Sequence, residues 1–168
     1  MAHVLCPGRF SLPAEDGGRR VYAFPFRQNA LAVIPDGAVV AVHDAVRPLV
    51  SVKLIRELFS AAAEAPAVIP ATPCTDTLKT VSKGVDGALE LTGNVDRSLV
   101  WGAQTPQVFH SEVLRSAYER NYDTSFTDDA SVVSASGVPV LCLEGERTNI
   151  KITTPEDLAL AEAILSLR

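Results

Sequence analysis

One stretch constrains the fold most: Val39-Val40-Ala41-Val42-His43-Asp44-Ala45-Val46-Arg47-Pro48. It opens as an apolar run after the turn signal Pro35-Asp36-Gly37. A short apolar run without alternation reads as a strand buried on both faces, as in a parallel sheet. It stops at His, Asp and Arg, and Pro48 cannot donate to a ladder. Ser51 then offers an N-cap, and Leu54, Ile55, Leu58 and Ala62 recur at helical spacing. A polar cluster therefore sits where a buried strand ends and a helix begins. In an open α/β sheet that carboxyl edge is where ligands bind. Asp44 and Arg47 there suit a metal, a hydroxyl or a phosphate. A salt bridge capping the strand end is the purely structural alternative.

The rest of the chain supports an α/β reading with one domain, residues 1–168. A length of 168 residues allows a sizeable core, and 47% hydrophobic against 21% charged residues is a globular balance. Ala67-Val68-Ile69-Pro70-Ala71 is a second buried strand. Thr77 to Val81 and Ala88 to Thr92 alternate and pair as a hairpin across Gly84–Gly87. An inserted hairpin of this kind, spanning about residues 74–96, projects as an arm and packs on a partner subunit. Val100 to Gln104 resumes the sheet, followed by Thr105-Pro106-Gln107. Ser111 caps a helix with Val113, Leu114, Ala117 and Tyr118 on one face. Thr127 caps another, ending near Gly137. Val138 to Leu143 is a strand, and Asn149 to Ile152 a short extended piece. Thr154-Pro155-Glu156-Asp157 starts a last helix with Leu158, Ala161 and Leu165 inward.

Residues 1–37 read less clearly. Met1 to Cys6 begins a strand that Pro7-Gly8 stops. Gly17-Gly18-Arg19-Arg20 is a loop, and Leu31 and Ile34 face inward from a helix remnant. A Gly-rich loop opening a helix, the usual phosphate cradle of such domains, is not recognisable here beyond Gly8-Arg9.

Charge and cysteines narrow the partners. A net charge of −5 without a basic run argues against nucleic acid. No apolar run approaches membrane-spanning length. Cys6, Cys74 and Cys142 lack CxxC spacing, which points to a reducing cytoplasm. Asp44, Arg47, Thr77, Lys79, Arg97, Thr105 and Lys151 all fall at strand–loop junctions. Arg presents a planar fork and Lys a point charge, so this set suits a phosphorylated substrate. His43 and His110 have no metal-ligand spacing and read as structural. Asp128-Asp129 fits helix N-terminal charge better than a metal pair.

Six segments carry a resemblance. Val42-His43-Asp44-Ala45-Val46-Arg47-Pro48, Asp76-Thr77-Leu78-Lys79, Asp96-Arg97, Gln104 to Phe109, Thr127-Asp128-Asp129-Ala130-Ser131 and Asn149-Ile150-Lys151-Ile152-Thr153 occur in this order. From about Ala30 onward the chain resembles the 2-C-methyl-D-erythritol 4-phosphate cytidylyltransferases. The resemblance implies a doubly wound, mostly parallel α/β sheet with helices on both faces and a homodimer joined by the arm. It implies a Mg²⁺-dependent reaction of CTP with methylerythritol phosphate, the metal ligands staying open. It places Asp44 beside substrate and CTP, with Arg97 and Lys151 as the other catalytic residues. Ala45, Arg47, Thr77 and Thr105 become substrate-binding, Thr77 and Arg97 reaching across from the partner. Pentitol-phosphate cytidylyltransferases share these motifs. The family's N-terminal Gly-rich CTP loop has no match between Met1 and Val21. A non-catalytic dimeric module that binds a sugar phosphate is therefore an alternative of a different class.

Overall fold

The computed structural model describes residues 30–168 in full and residues 2–5 as backbone. The readings at Cys6, Gly8-Arg9, Gly17-Gly18 and the rest of residues 6–29 lie outside the described residues. In chain order the elements are β1 (Ala2–Leu5), β2 (Val39–Val42), α1 (Val52–Ala61), β3 (Ala67–Pro73), β4 (Lys79–Lys83) and β5 (Leu89–Asn94). Then follow a 3-10 turn (Arg97–Leu99), β6 (Trp101–Ala103), β7 (Gln107–His110), α2 (Ser111–Ala117), α3 (Asp129–Ala135), β8 (Leu141–Glu144) and α4 (Pro155–Ser166).

β1 pairs parallel with β2, and β8 parallel with β3. β7 lies between β2 and β3, antiparallel to both. β6 continues along the far end of β3, also antiparallel. Hence β1, β2, β3 and β8 share one direction, as a doubly wound α/β sheet requires, with two strands reversed, β7 at the centre and β6 at the far end. The sequence reading has no strand between Pro106 and Ser111. The structure adds β7 there, because its buried pair Val108-Phe109 is too short to show a period between polar Gln107 and His110.

Strand alternation divides the core into two layers. Val40, Val42, Ala67, Ile69 and Phe109 point to one side, against Leu31, Ile34, Leu114, Ala117, Tyr118, Val132 and Val133. Ala41, Val68 and Val108 point to the other, against Leu54, Leu58 and Ala62 of the α1 segment. Both faces of the sheet are thus covered. That explains why the strands read as continuous apolar runs. Each fully buried Leu or Phe contributes roughly 1.5–3 kcal/mol.

Two helix starts differ in detail from expectation. Ser111 is the first helical residue and donates its hydroxyl to Pro35 O at 3.0 Å, while His110 takes the cap position. Asp128, not Thr127, caps α3, in a capping box with Ser131. α4 starts as expected, with Thr154 and Asp157 capping reciprocally. Its apolar face is less buried than its spacing implies: Ala161 is 3% exposed, but Leu158 and Leu165 are about half exposed. Hydrogen bonds from Thr153, by hydroxyl and amide, and from the Thr154 amide hold the Asp157 carboxyl down at about 2.

Asp128 has a second partner, because its Oδ2 accepts from Gln107 Nε2 at 2.7 Å. Asp128→Ala should therefore cost about 1–2 kcal/mol, the upper range for a lost cap. Urea unfolding checks this; an unchanged midpoint would show that α3 does not depend on its cap.

β4 and β5 form a separate two-stranded hairpin with a register irregularity at Thr80/Val81. It spans the expected arm. Val81 lies opposite Leu91 and Lys83 opposite Leu89, so Val81, Leu89 and Leu91 share a face. All three are exposed.

Candidate active site

The centre is the turn after β2. Arg47 N donates to Asp44 O at 3.0 Å, which folds Arg47 back toward Asp44. Arg47 Nε then lies 3.5 Å from Asp44 Oδ2. Ala45 and Val46 stand exposed at the tip of the turn. Pro48 ends the extended piece, and Ser51 caps α1 by accepting from Leu54 N at 3.0 Å.

The break between β6 and β7 forms the second wall. Gln104 N still donates to Pro70 O at 2.8 Å. The Thr105–Pro106 peptide is cis. Thr105 Oγ1 accepts from Asp44 N at 3.0 Å and lies 2.9 Å from His43 Nδ1. His43 Nε2 is 3.0 Å from Arg47 O. Burial pushes the His43 pKa down, against the opposing pull of that carbonyl and of the Asp44 charge; the Arg47 charge adds to the lowering.

The third wall is the loop at residues 145–152. Gly145 N donates to Ala71 O at 2.7 Å, extending the β8 pairing. A Cβ at Gly145 would run into Gln104 Oε1, so glycine lets the loop approach this closely. Buried Gln104 grips the loop with its amide, donating to Glu146 O at 2.8 Å and accepting from Glu146 N at 3.1 Å. Asn149 is fully buried and donates to Thr105 O at 2.9 Å. Its own carbonyl accepts from Arg47 Nη1 at 2.7 Å. Ile152 N donates to Val46 O at 2.8 Å. Glu146 also accepts from the Ser51 hydroxyl and amide, which ties the loop to α1. Clamped on both sides, the loop holds Lys151 Nζ 3.0 Å from Asp44 Oδ2.

Two cations thus meet one carboxylate, leaving a local positive excess suited to an anion. Asp44, Arg47, Thr105 and Lys151 come together within this chain, with Ala45 on the rim. Thr77 and Arg97 do not join them within this chain. Both are exposed at the base of the arm, where Arg97 Nη1 donates to Thr75 O at 2.9 Å. His43, read from sequence as merely structural, bonds directly into the cluster. Asp128 caps α3, and Asp129 is buried with the Tyr118 hydroxyl on its Oδ1. Gln104, Glu146 and Asn149 went without a role in the sequence reading. Their signal was a polar residue beside Thr-Pro, Gly or a lysine at a strand end.

The profile of the 2-C-methyl-D-erythritol 4-phosphate cytidylyltransferase family matches residues 25–167. The chain belongs to that family. Among curated members, the enzyme of Bacteroides fragilis is 45% identical over 154 residues, covering 92% of this chain and 66% of its own length. That of Syntrophus aciditrophicus is 43% identical over 141 residues, covering 83% and 58%. The chain therefore spans only about three fifths to two thirds of these relatives. Among solved structures, the family's protein from Thermus thermophilus superposes with a TM-score of 0.75 at 31% identity, covering 97% of this chain and 81% of its own. The Francisella tularensis protein gives 0.74 at 33% identity, covering 83% and 66%. Family and fold agree with the doubly wound α/β expectation.

Proposed function

We propose that the protein transfers the cytidylyl group of CTP to the phosphate of 2-C-methyl-D-erythritol 4-phosphate, an isoprenoid precursor. An oxygen of the acceptor phosphate attacks the α-phosphorus of CTP. The bond to the β-phosphate oxygen breaks, pyrophosphate leaves, and the CDP-alcohol remains. The observation that carries this reading is the Asp44–Lys151–Arg47 cluster at the carboxyl end of β2, in a chain of this family. Lys151 and Arg47 draw the acceptor phosphate in, and Asp44 aims Lys151. Thr105 and Ala45 line the acceptor. Thr77 and Arg97 reach it from the partner's arm. Such a transfer needs chiefly positioning and charge stabilisation from the protein.

Mg²⁺ is the expected companion of the triphosphate. Mg²⁺ is usually held by one or two carboxylates plus substrate phosphates. Asp44 Oδ2 already faces both Arg47 and Lys151, so the ligands of the metal stay open. Among the described residues no group of three or more His, Cys, Asp or Glu gathers. Mg²⁺ would neutralise charge on the phosphate oxygens. Cys74 and Cys142 are free, in keeping with a cytoplasmic setting.

Pyrophosphate release tests the reading. Release should require CTP together with methylerythritol phosphate, and a high CTP concentration, since no Gly-rich phosphate loop is readable in residues 1–37. Preferential turnover of ribitol phosphate would move the protein to the pentitol enzymes. No release at any CTP concentration would favour the non-catalytic module.

The exposed apolar face of Val81, Leu89 and Leu91 supports a homodimer. A two-stranded hairpin is marginal alone and gains stability by packing on a second copy. Replacing residues 77–95 by a short turn should convert a dimer into monomers or aggregates. A wild-type monomer by light scattering at micromolar concentration would refute the arm's role.

A further inference from the structure

The proposed function makes Thr105 a substrate contact, and the role assigned here to His43 rests on that reading. The hydrogen bonds around Thr105 determine what kind of contact it makes. A hydroxyl has one proton and two lone pairs. The Asp44 amide only donates, so Thr105 Oγ1 accepts from it. The Arg47 carbonyl only accepts, so His43 Nε2 carries a proton. In a neutral imidazole with its proton on Nε2, Nδ1 bears a lone pair, and burial favours that neutral form by lowering the pKa. The Thr105 O–H therefore donates to Nδ1, 2.9 Å away. Its proton and one lone pair are occupied, and the other lone pair remains on a half-buried residue beside Asp44.

We infer that His43 is a positioning residue that fixes Thr105 as a hydrogen-bond acceptor toward the substrate, so that Thr105 takes a hydroxyl of the polyol and not an oxygen of its phosphate. A phosphate dianion has no proton to offer, and a lone pair facing it repels. The site is thereby divided: Lys151 and Arg47 hold phosphate, Thr105 reads the polyol.

Nitrogen-15 NMR of the imidazole in the wild-type chain at pH 7.5 tests the first half without any ligand. Nε2 should be protonated and Nδ1 bare; a proton on Nδ1 overturns the proposal. Titration with methylerythritol phosphate and with inorganic phosphate tests the second half. Thr105→Val should weaken the polyol phosphate roughly fivefold, about 1 kcal/mol, and leave inorganic phosphate unchanged. His43→Ala should weaken the polyol phosphate similarly, and His43→Asn, which keeps an acceptor near the Nδ1 position, should restore it. Equal weakening of both ligands by Thr105→Val overturns the division of the site. A wild-type chain that holds the polyol phosphate no better than inorganic phosphate removes the polyol reading itself, together with the substrate half of this inference. The wrong tautomer removes the inference alone.

Discussion

Gln104→Leu should destabilise the protein by roughly 1–3 kcal/mol, although Leu matches Gln closely in size. Gln104 is 7% exposed, and its amide both donates to and accepts from the Glu146 backbone. Leu would leave the Glu146 N–H without a partner in a part-buried place, while Glu146 O keeps the Asn149 amide. An unsatisfied group costs about 1–3 kcal/mol. For a chain of this size the melting temperature should fall by roughly 2–12 °C. The loop at residues 145–152 should loosen as well, so Lys151 loses its fixed distance to Asp44. A melting temperature within a degree of wild type would mean that Gln104 does not hold the loop.

Lys151→Ala should do the opposite, leaving the fold and weakening the ligand. Its side chain is 47% exposed and that of Asp44 26% exposed. An ion pair this accessible to water contributes little to stability. Toward a phosphate the same ammonium makes a charge-assisted hydrogen bond worth roughly 1.5–3 kcal/mol. Methylerythritol phosphate affinity should therefore drop by about tenfold to a hundredfold, since ~1.4 kcal/mol is one decade. Arg97→Ala should give a similar loss, through the partner subunit. Calorimetric titration beside a thermal melt separates the two effects. Unchanged affinity in both variants would refute their assignment as phosphate ligands.

The two predictions differ because the two residues were not equally legible in the sequence. Lys151 stands between Ile150 and Ile152, a cation at an apolar strand-like piece, and Asp44 ends an apolar run. Such local contrasts announce themselves. The same holds for β2, β3 and α4, whose starts and apolar runs lie within a few residues of each other. Gln104 and Asn149 act on backbone groups 42 to 45 positions away, and no local pattern records which backbone they will meet. β7 escaped for a related reason: two buried residues between polar ends are fixed by pairing with β2 and β3, not by any period of their own. His43 is visible as a histidine, but its bond to Thr105 spans 62 positions. α4 shows the reverse failure. Its helical spacing is sound, yet spacing says which side chains share a face and not whether another element covers them.

If the Asp44 turn, the Thr105 break and the loop at residues 145–152 together form the acceptor site, amide NMR of the nitrogen-15-labelled chain during titration with methylerythritol phosphate, without CTP, should see it. Saturable shifts should concentrate at Asp44, Arg47, Thr105, Asn149, Lys151 and Ile152, and diminish in Lys151→Ala. Shifts confined to other surfaces, or none at millimolar ligand, would refute an acceptor site there.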